Sequence, residues 1–365
     1  GVLKPLIECL AANNRFSLKL LVMGSHLSPE HGNTIQLIRN DGFVVDEQIE
    51  MLMSSDTNVG SVKSAGLAMI GLADCLQRLH PEYIILAGDR YEILAAAFSS
   101  SLLGISIVHL HGGEVTIGSQ DDDFRHAISK LADYHFVSAD IHKKRLVNMG
   151  ENKNAVFVVG SLSADTIIQT SLLDLDGLEE ILKFKVSSQF VLVAFHPVTS
   201  AKDLGATELD ELMKALATHE TLQLIFSTPN ADQGSKMVLQ KIERFCSNHK
   251  NSMVLQSRGQ AVFLSLLHNA SCIIGNSSSG ITEAPILNTP TINVGVRQKG
   301  REAVDSIMHV GGSAKEIGAA LNRVLAQKNG CTDISNYANP YGRVGASVQI
   351  TKKLEQIANS DFKVV

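Results

Sequence analysis

Short runs of apolar, mostly β-branched residues recur at intervals of roughly 20 to 30 residues, with helix-like segments between them. The apolar residues in each run are continuous rather than alternating, which is typical of strands covered on both faces, as in parallel sheets. The runs are LKLLVMG, YIILAG, ISIVHLHG, YHFVSA, AVFVVG, FVLVAFH, LQLIFST, SMVLQS, CIIGNS, TINVG and IMHVG. Segments such as VKSAGLAMIGLADCLQRL and ELDELMKALATH between them have helical patterning. This alternation predicts an α/β fold of doubly wound, Rossmann-like units.

A chain of 365 residues is too long for one ordinary core, so two domains are expected. The strand-like runs stop between residues 165 and 188, where the composition turns to LLDLDGLEEILKFKVSSQ. We predict an N-terminal domain over 1–170, a C-terminal domain over 171–343 and a C-terminal helix over 344–365 that packs back on either domain. The first segment, GVLKPLIECLAANN, is patterned as an amphipathic helix. Because such a helix follows a strand in a doubly wound sheet, we expect a first strand and turn of roughly 15 residues before it.

Composition excludes several classes of protein. A hydrophobic content of 44% and a net charge of −5 describe a globular chain without the basic excess that nucleic-acid binding requires. No apolar stretch approaches about 18 residues and no signal peptide is visible, so we expect a cytoplasmic protein without a membrane partner. The cysteines lack CxxC spacing and are expected to be reduced thiols, with no structural metal or redox cofactor. They are Cys9, Cys75, Cys246, Cys272 and Cys331.

Small and polar residues follow nearly every strand-like run. In open α/β sheets, ligands bind beyond the carboxyl ends of the strands, and two domains placed face to face bring both rows of ends to one cleft. The clusters are Gly24-Ser25-His26, Gly88-Asp89-Arg90, His111-Gly112-Gly113-Glu114, Gly160-Ser161, His196-Pro197, Asn230, Arg258, Gly275 through Gly280, and Gly295 through Arg297.

Each cluster also has a purely structural interpretation. Asp89 suits a helix N-cap, and His196 suits a buried histidine whose hydrogen bonds are satisfied. The triplet Asp121, Asp122 and Asp123 suits the first turn of a helix, where acidic side chains complement the dipole. Arg297, Lys299 and Arg301 suit a solvated face, although their place one strand beyond Gly275 through Gly280 also suits binding of a diphosphate. Residue spacing alone leaves these alternatives open.

The stretch GNSSSG could be a simple Gly/Ser loop, but we favour a phosphate-binding site. At the start of a helix, its backbone amides and hydroxyl groups can bind an anion. It is not a P-loop, because GxxxxGK[ST] is absent. GxGxxG and GxSxG are absent as well, so neither a dinucleotide cofactor nor a Ser-His-Asp hydrolase is supported. His109 and His111 form HxH without a further ligand cluster, so we expect no zinc site.

Seven ordered motifs resemble those of a known family. GDRYE, HGGE, DDDFRHAISK, FHP, PNADQGS, GNSSSGITE and GVRQKGR occur in this order and are similar to those of the hydrolysing UDP-N-acetylglucosamine 2-epimerases of sialic acid biosynthesis. The similarity extends over essentially the whole chain, and it includes the epimerase half of the animal bifunctional enzyme. It implies two Rossmann-like domains of glycosyltransferase-B type, with UDP in the cleft between them.

The resemblance also implies a reaction and a set of site residues. UDP-N-acetylglucosamine and water become N-acetylmannosamine and UDP, by elimination to a 2-acetamidoglucal and addition of water. The residues implied for catalysis are Asp89, Glu114, Asp121, His111, Asp122 and His196. Those implied for UDP are Arg90, His196, Asn230, Arg258, Ser277, Ser278, Glu283 and Arg297. The expected partners are the nucleotide sugar, UDP and further copies of the chain in a dimer or tetramer.

The chain departs from the family pattern in two places. His111 stands where many relatives have glutamate, so either His111 or Glu114 is expected to take over that proton-transfer role. The segment expected before the first helix holds, in the family, a strand and an Arg-bearing turn at the UDP site. A protein without these residues is expected to bind UDP weakly and to be less stable.

Other activities remain possible at the level of sequence. They are hydrolysing 2-epimerisation of a 2,4-diacetamido-2,4,6-trideoxyhexose nucleotide, as in legionaminic acid synthesis, non-hydrolysing epimerisation, glycosyl transfer, and sugar-nucleotide sensing without catalysis.

Overall fold

A computed structural model of the protein describes residues 1–55, 57–229, 232–256, 258–326 and 339–359. Its described residues form two successive α/β domains in which every paired strand is parallel to its neighbours.

In the N-terminal domain, β3 to β6 form a four-stranded sheet in that order, and β1 pairs with β2 in a separate two-stranded sheet. The strands are β1 (Leu21–Met23), β2 (Glu47–Ile49), β3 (Tyr83–Ala87), β4 (Ser106–Leu110), β5 (Tyr134–Val137) and β6 (Val156–Val158). The helices are α1 (Lys4–Ala11), α2 (Ile35–Asn40), α3 (Asn58–Leu79), α4 (Tyr91–Leu102), α5 (Asp121–Leu131), α6 (Asp140–Asn148) and α7 (Leu162–Gln169).

In the C-terminal domain, six strands follow the order β12-β11-β10-β7-β8-β9, so the strand order reverses between β7 and β10, as in a Rossmann sheet. The strands are β7 (Phe190–Ala194), β8 (Gln223–Ser227), β9 (Ser252–Leu255), β10 (Cys272–Gly275), β11 (Thr291–Val294) and β12 (Ile307–Val310). The helices are α8 (Leu175–Leu182), α9 (Ala206–Ala217), α10 (Ser235–Asn248), α11 (Gln260–Asn269), α12 (Ser279–Thr282), α13 (Ala314–Ala326) and α14 (Ala346–Asn359).

Strand β7 illustrates why the apolar runs are continuous. Val191 and Val193 belong to the core on one face of the sheet, whereas Phe190 and Leu192 belong to the core on the other. All four side chains are at most 1% exposed. Helices cover both faces, so no position along the strand faces water and none needs a polar residue.

Each of the eleven predicted runs contains a strand, but the short strand β2 was missed. Its sequence, EQI, has two polar residues and no apolar run. Its single buried side chain, Ile49, packs against α3, and a Cβ atom on Gly71 would lie 2.7 Å from Cγ2 of Ile49. Tertiary packing therefore determines this strand, not local hydrophobicity.

Among the described helices, α3 is long and apolar enough to cross a membrane by length and composition, which differs from the expectation of no such stretch. Ala68, Leu72 and Leu76 of α3 are nevertheless buried in the N-terminal core. The helix carries Lys63 and Asp74 and packs against α4 and β2, as a core helix of a globular domain does.

The described cysteines are free thiols, and Cys331 lies outside the described residues. They are Cys9, Cys75, Cys246 and Cys272.

Helix α14 returns to the N-terminal domain, where it packs against α1 and α7. The side chain of Asp165, in α7, hydrogen-bonds to the first residues of α14. The carboxylate accepts hydrogen bonds from the Gly345 amide at 2.5 Å and from the Ser347 amide and hydroxyl, each at 2.7 Å. Asp165 is only 6% exposed, so the charge of the carboxylate is compensated by these donors at the open end of the helix.

Replacing Asp165 with alanine should lower the free energy of unfolding by about 3 kcal/mol, because buried donors at the start of α14 lose their acceptor. Urea unfolding followed by circular dichroism measures this change. Asp176→Ala, which removes an exposed carboxylate from the first turn of α8, is the matched control. Equal unfolding midpoints for the two variants would contradict the role given to Asp165.

Candidate active site

Two loops interlock across the boundary between the domains. The Ile117 amide donates a hydrogen bond to the Lys299 carbonyl at 3.0 Å. A Cβ atom on Gly118 would lie 2.3 Å from Cα of Arg297, so this approach of the two backbones requires glycine. The Gln120 amide donates to Oγ1 of Thr199 at 3.1 Å a short distance further along the same boundary. The loops after β4 and β11 therefore enclose a cleft lined by strand ends of both domains.

Arg125 organises the N-terminal wall of this cleft. Its side chain is 3% exposed and forms ion pairs with Asp89 and Asp122. The guanidinium also donates to the carbonyl of Glu114 at 3.1 Å and to Oγ1 of Thr116 at 3.2 Å. One buried cation thus joins the turn after β3, the loop after β4 and the first turn of α5.

His109 supports the turn that carries Asp89. Burial lowers the pKa of His109 to about 3, so the ring is neutral. Nε2 lies 3.0 Å from the Gly88 carbonyl, which can only accept, so Nε2 carries the proton. Nδ1 then accepts from the Ser129 hydroxyl at 3.0 Å. The arrangement ties the end of β3 to α5.

The structure distinguishes the two candidate aspartates at the start of α5. The Asp122 carboxylate accepts from the Thr116 amide at 2.5 Å and pairs with Arg125 at 2.9 Å, so it holds the loop in place. Asp121 hydrogen-bonds to the Ser119 hydroxyl at 2.9 Å. Burial, followed by the negative charges of Asp89 and Asp232, raises the pKa of Asp121 to about 6. Of the two, Asp121 is therefore suited to proton transfer near neutral pH.

His111 and Glu114 form a hydrogen-bonded pair. Nδ1 of His111 lies 3.3 Å from Oε1 of Glu114, and Arg301 of the C-terminal domain binds Oε2 at 2.5 Å. Burial alone would raise the pKa of Glu114, but the Arg301 guanidinium and the His111 ring hold that pKa well below its usual range. An ionised Glu114 can only accept, so Nδ1 of His111 carries a proton and donates it to the carboxylate. The side chains are 23% and 5% exposed respectively, so the imidazole is the member of the pair that a substrate can reach.

The predicted nucleotide residues of the C-terminal domain meet at the reversal of strand order. His196 follows β7 and Ser277 follows the neighbouring β10, with Nε2 of His196 3.3 Å from the Ser277 hydroxyl. The Asn276 side chain bridges the loops by accepting from the His196 amide at 2.7 Å and donating to the His196 carbonyl at 2.8 Å. Arg297 donates to the carbonyls of Pro197 and Asn276 at 3.3 and 3.2 Å. A cation and a hydroxyl thus lie where an open α/β sheet binds its ligand.

The other residues predicted to bind UDP do not all lie with this cluster. Ser278 immediately precedes α12, which has only four residues, and Glu283 follows it in a buried position where burial raises the pKa of the carboxyl. Arg90 forms ion pairs with Glu92 and Asp232. Arg258 is exposed beyond the edge strand β9, three strands away from β10. Asn230 lies outside the described residues.

The sequence analysis did not predict the roles of three residues that lie in the site. Asp232 spans the cleft to Arg90 at 2.6 Å, although only Asn230 was singled out in that motif. Arg301 was considered only for a solvated face or a diphosphate, but it pairs with buried Glu114. Arg125 was not among the predicted site residues. Its position three residues after Asp122 was the available signal, since such residues share a helix face.

Within the described ranges, no three His, Cys, Asp or Glu side chains are arranged to hold a metal ion.

Asp121 should destabilise the fold at neutral pH. Its folded pKa, about 6, lies above the ordinary value of 3.8, so the folded state binds the proton more tightly. The unfolding free energy therefore falls as the pH rises from about 4 to about 6, and the full cost is present above that range. Asp121→Asn should raise the free energy of unfolding by up to about 3 kcal/mol at pH 8, since one pKa unit corresponds to about 1.4 kcal/mol, and by little at pH 4. Urea titrations at both pH values test this.

The matched control is Asp123→Asn, which removes an exposed carboxylate from the same turn of α5. A stability gain at pH 8 that is equal in the two variants, or absent from Asp121→Asn, would refute the raised pKa.

Comparison with known proteins identifies the family. The family model described as UDP-N-acetylglucosamine 2-epimerase matches residues 8–355. A hydrolysing GDP/UDP-N,N'-diacetylbacillosamine 2-epimerase of Campylobacter jejuni is 37% identical over 308 residues, which are 84% of this chain and 80% of that protein. Polysialic acid biosynthesis protein P7 of Escherichia coli is 30% identical over 368 residues, covering 100% of this chain and 93% of that protein.

A solved structure has the same fold. The UDP-GlcNAc 2-epimerase of Methanocaldococcus jannaschii, in complex with UDP-GlcNAc and UDP, superposes with a TM-score of 0.80 at 20% identity, covering 97% of this chain and 96% of that chain. The expected glycosyltransferase-B type fold with two Rossmann-like domains is thereby confirmed. On these matches, the chain belongs to the UDP-N-acetylglucosamine 2-epimerase family and resembles its hydrolysing members.

Proposed function

We propose that the protein is a hydrolysing 2-epimerase of UDP-linked 2-acetamido sugars, which converts UDP-N-acetylglucosamine and water to N-acetylmannosamine and UDP in sialic acid biosynthesis. The observation that carries the proposal is the position of Asp121, which lines the cleft together with Thr199 and Asp232 of the C-terminal domain. Burial raises the pKa of this carboxyl group to about 6. Across the cleft, Asp121 interacts electrostatically with Arg297. Arg297 lies beside His196 and Ser277 at the strand-order reversal. A base near the sugar and a cation near the diphosphate are the two requirements of the elimination.

In the first proposed step, the Asp121 carboxylate removes the proton from C2 of the sugar. The electrons of that C–H bond form the C1–C2 double bond of 2-acetamidoglucal, and the C1–O bond breaks with its electron pair leaving on UDP. A raised pKa makes Asp121 a stronger base than an ordinary carboxylate. The buried guanidinium of Arg297 and the Ser277 hydroxyl stabilise the charge that develops on the diphosphate.

In the second proposed step, water adds to the glucal. Protonated His111 donates a proton to C2 from the face opposite to the one that lost it. Water bonds to C1 and passes one proton back to His111, while Asp121 releases its proton to solvent. Glu114 keeps the His111 ring oriented through Nδ1 and, itself held by Arg301, is a positioning residue. Asp89 and Asp122 are positioning residues joined by Arg125.

A second candidate substrate is UDP-2,4-diacetamido-2,4,6-trideoxyglucose, the nucleotide of diacetylbacillosamine. Its support is the relative of that name from Campylobacter jejuni, at 37% identity. The same proton transfers at C2 and the same loss of UDP from C1 would apply, because the two sugars differ only at C4 and C6.

Incubation with UDP-N-acetylglucosamine in D2O tests the reaction, with the trideoxy nucleotide in parallel. We expect free UDP and a 2-epimerised sugar that carries one deuterium at C2, measured by proton NMR and mass spectrometry. Epimerised sugar without deuterium would exclude elimination. A protein that releases UDP only when an acceptor sugar is added would be a glycosyltransferase, and the proposal would fail.

The proposed base is tested by Asp121→Asn, which should lower kcat by about 10³-fold and leave the Kd for UDP within about threefold. Wild-type kcat/KM should fall as the pH drops below about 6, since the base is then protonated. Asp123→Asn, an exposed neighbour on α5, should retain wild-type kinetics. If Asp121→Asn weakens UDP binding in proportion to its loss of turnover, Asp121 binds substrate and is not the base.

The His111–Glu114 pair is tested by a double-mutant cycle. His111→Gln should lower kcat by about 10²-fold, and Glu114→Gln by less, because the imidazole remains. Adding Glu114→Gln to His111→Gln should cost little more, since Glu114 acts through the ring. Additive losses would assign Glu114 an independent role. Calorimetry with UDP shows whether each variant keeps its nucleotide site.

A further inference from the structure

His142 belongs to the first turn of α6, where its side chain is fully buried and interacts electrostatically with Glu114. Nε2 of the ring lies 3.0 Å from Oε2 of Glu302, in the loop between β11 and β12. Nδ1 lies 2.9 Å from the hydroxyl oxygen of Ser138, the residue that follows β5. The imidazole therefore connects a strand end of the N-terminal domain with a loop of the C-terminal domain.

The charge of Glu302 determines the donor in its contact with His142. Burial alone would raise the pKa of Glu302, but hydrogen bonds from His142 and Arg145 lower it to about 2. An ionised carboxylate can only accept, so Nε2 of His142 carries a proton and donates it. Arg145, one turn further along α6, donates to Oε1 of Glu302 at 3.0 Å and to the carbonyl of Gly113. Two donors on one face of α6 thus hold Glu302 in place.

These contacts close a ring of side chains around the Glu114 carboxylate. The hydroxyl oxygen of Ser138 lies 3.5 Å from Oε1 of Glu114, and Arg301 binds Oε2 at 2.5 Å. Because Arg301 and Glu302 are neighbours in the chain, His142 is linked to Oε1 through Ser138 and to Oε2 through this dipeptide. The longest contact is 3.0 Å in the second route and 3.5 Å in the first, so the second restrains Glu114 more strongly.

We propose that His142 is a positioning residue, which fixes the Glu114 carboxylate and thereby the ring of His111. The inference rests on the proposed function, in which His111 returns a proton to C2. Proton transfer depends steeply on the placement of the donor, so freedom of Glu114 lowers the rate of reaction more than the binding of the nucleotide. Arg301 and Glu302 come from the C-terminal domain, so contact between the domains also holds His111 in its orientation.

Substitutions of His142 separate the two routes. A glutamine amide reaches the place of Nε2, so His142→Gln keeps a donor for Glu302. An asparagine amide reaches only the place of Nδ1, so His142→Asn keeps the contact with Ser138 alone, and His142→Leu keeps neither. We expect His142→Leu and His142→Asn to lower kcat about tenfold, with KM and the Kd for UDP within about threefold of the wild type. His142→Gln should retain kcat within about threefold.

The matched control is His135→Leu. His135 is buried as well and lies 3.3 Å from a glutamate, Glu151, which stays paired with Lys130 when the imidazole is removed. His135→Leu should therefore lose thermal stability in the same way as His142→Leu but keep the wild-type kcat. An equal loss of kcat in the two leucine variants, or in His142→Gln and His142→Leu, would overturn the inference. So would a loss that falls on KM and leaves kcat unchanged.

The nitrogen NMR resonance of Nδ1 in His111 tests the positioning without turnover. In protein with labelled histidine, the signal is assigned by its loss in His111→Gln. We expect it to shift in His142→Leu and in Glu302→Gln, which keeps the shape of the side chain, and to stay unchanged in His135→Leu. An unshifted resonance in both of the first two variants would refute the inference. If the resonance shifts as expected but the wild type turns over no sugar nucleotide, only the 2-epimerase proposal fails.

Discussion

The buried guanidinium of Arg125 is the constraint on which the rest of the site depends. A cation removed from water is tolerated only if charged and polar partners surround it. Asp89 comes from the turn after β3, the Glu114 carbonyl and Thr116 from the loop after β4, and Asp122 from α5. Three segments that are distant in sequence must therefore converge on one side chain, and their convergence forms the N-terminal wall of the cleft.

The need to pair buried charges also gives the carboxyl groups of the site different pKa values. Glu114 lies against Arg301 and Asp232 against Arg90, and each has a lowered pKa despite burial. Asp121 instead hydrogen-bonds to a neutral hydroxyl group, and burial, followed by the nearby charges of Asp89 and Asp232, raises its pKa to about 6. Arg301 and Arg90 therefore favour the ionised forms of Glu114 and Asp232. The ionised form of Asp121 is instead disfavoured. The raised pKa that costs stability also suits Asp121 to its proposed role as a base near neutral pH.

Features of the fold and the site that depend on local sequence could be predicted, whereas those that depend on contacts between distant residues could not. Continuous apolar runs predicted eleven strands, because burial on both faces leaves a local signature. Strand β2 has no such signature, since its pairing with β1 and the packing of Ile49 against α3 determine its position. The strand-end rule placed His196 and Ser277 together correctly, because neighbouring strands share an edge. Asp121 and Asp122 are chemically identical neighbours, and only the tertiary positions of Thr116, Arg125 and Asp89 distinguish them.

The two domains also divide the recognition of the proposed substrate. The C-terminal cluster around His196, Ser277 and Arg297 lies at the strand-order reversal, where it would meet the UDP part that alternative substrates have in common. The proposed proton-transfer residues, His111 and Asp121, belong to the N-terminal domain, where they lie in the loop after β4 and at the start of α5. Under the proposed function, the C-terminal domain would bind the leaving group and the N-terminal domain would move the protons of the sugar. The hydrogen bond between the Ile117 amide and the Lys299 carbonyl joins the two halves of this site.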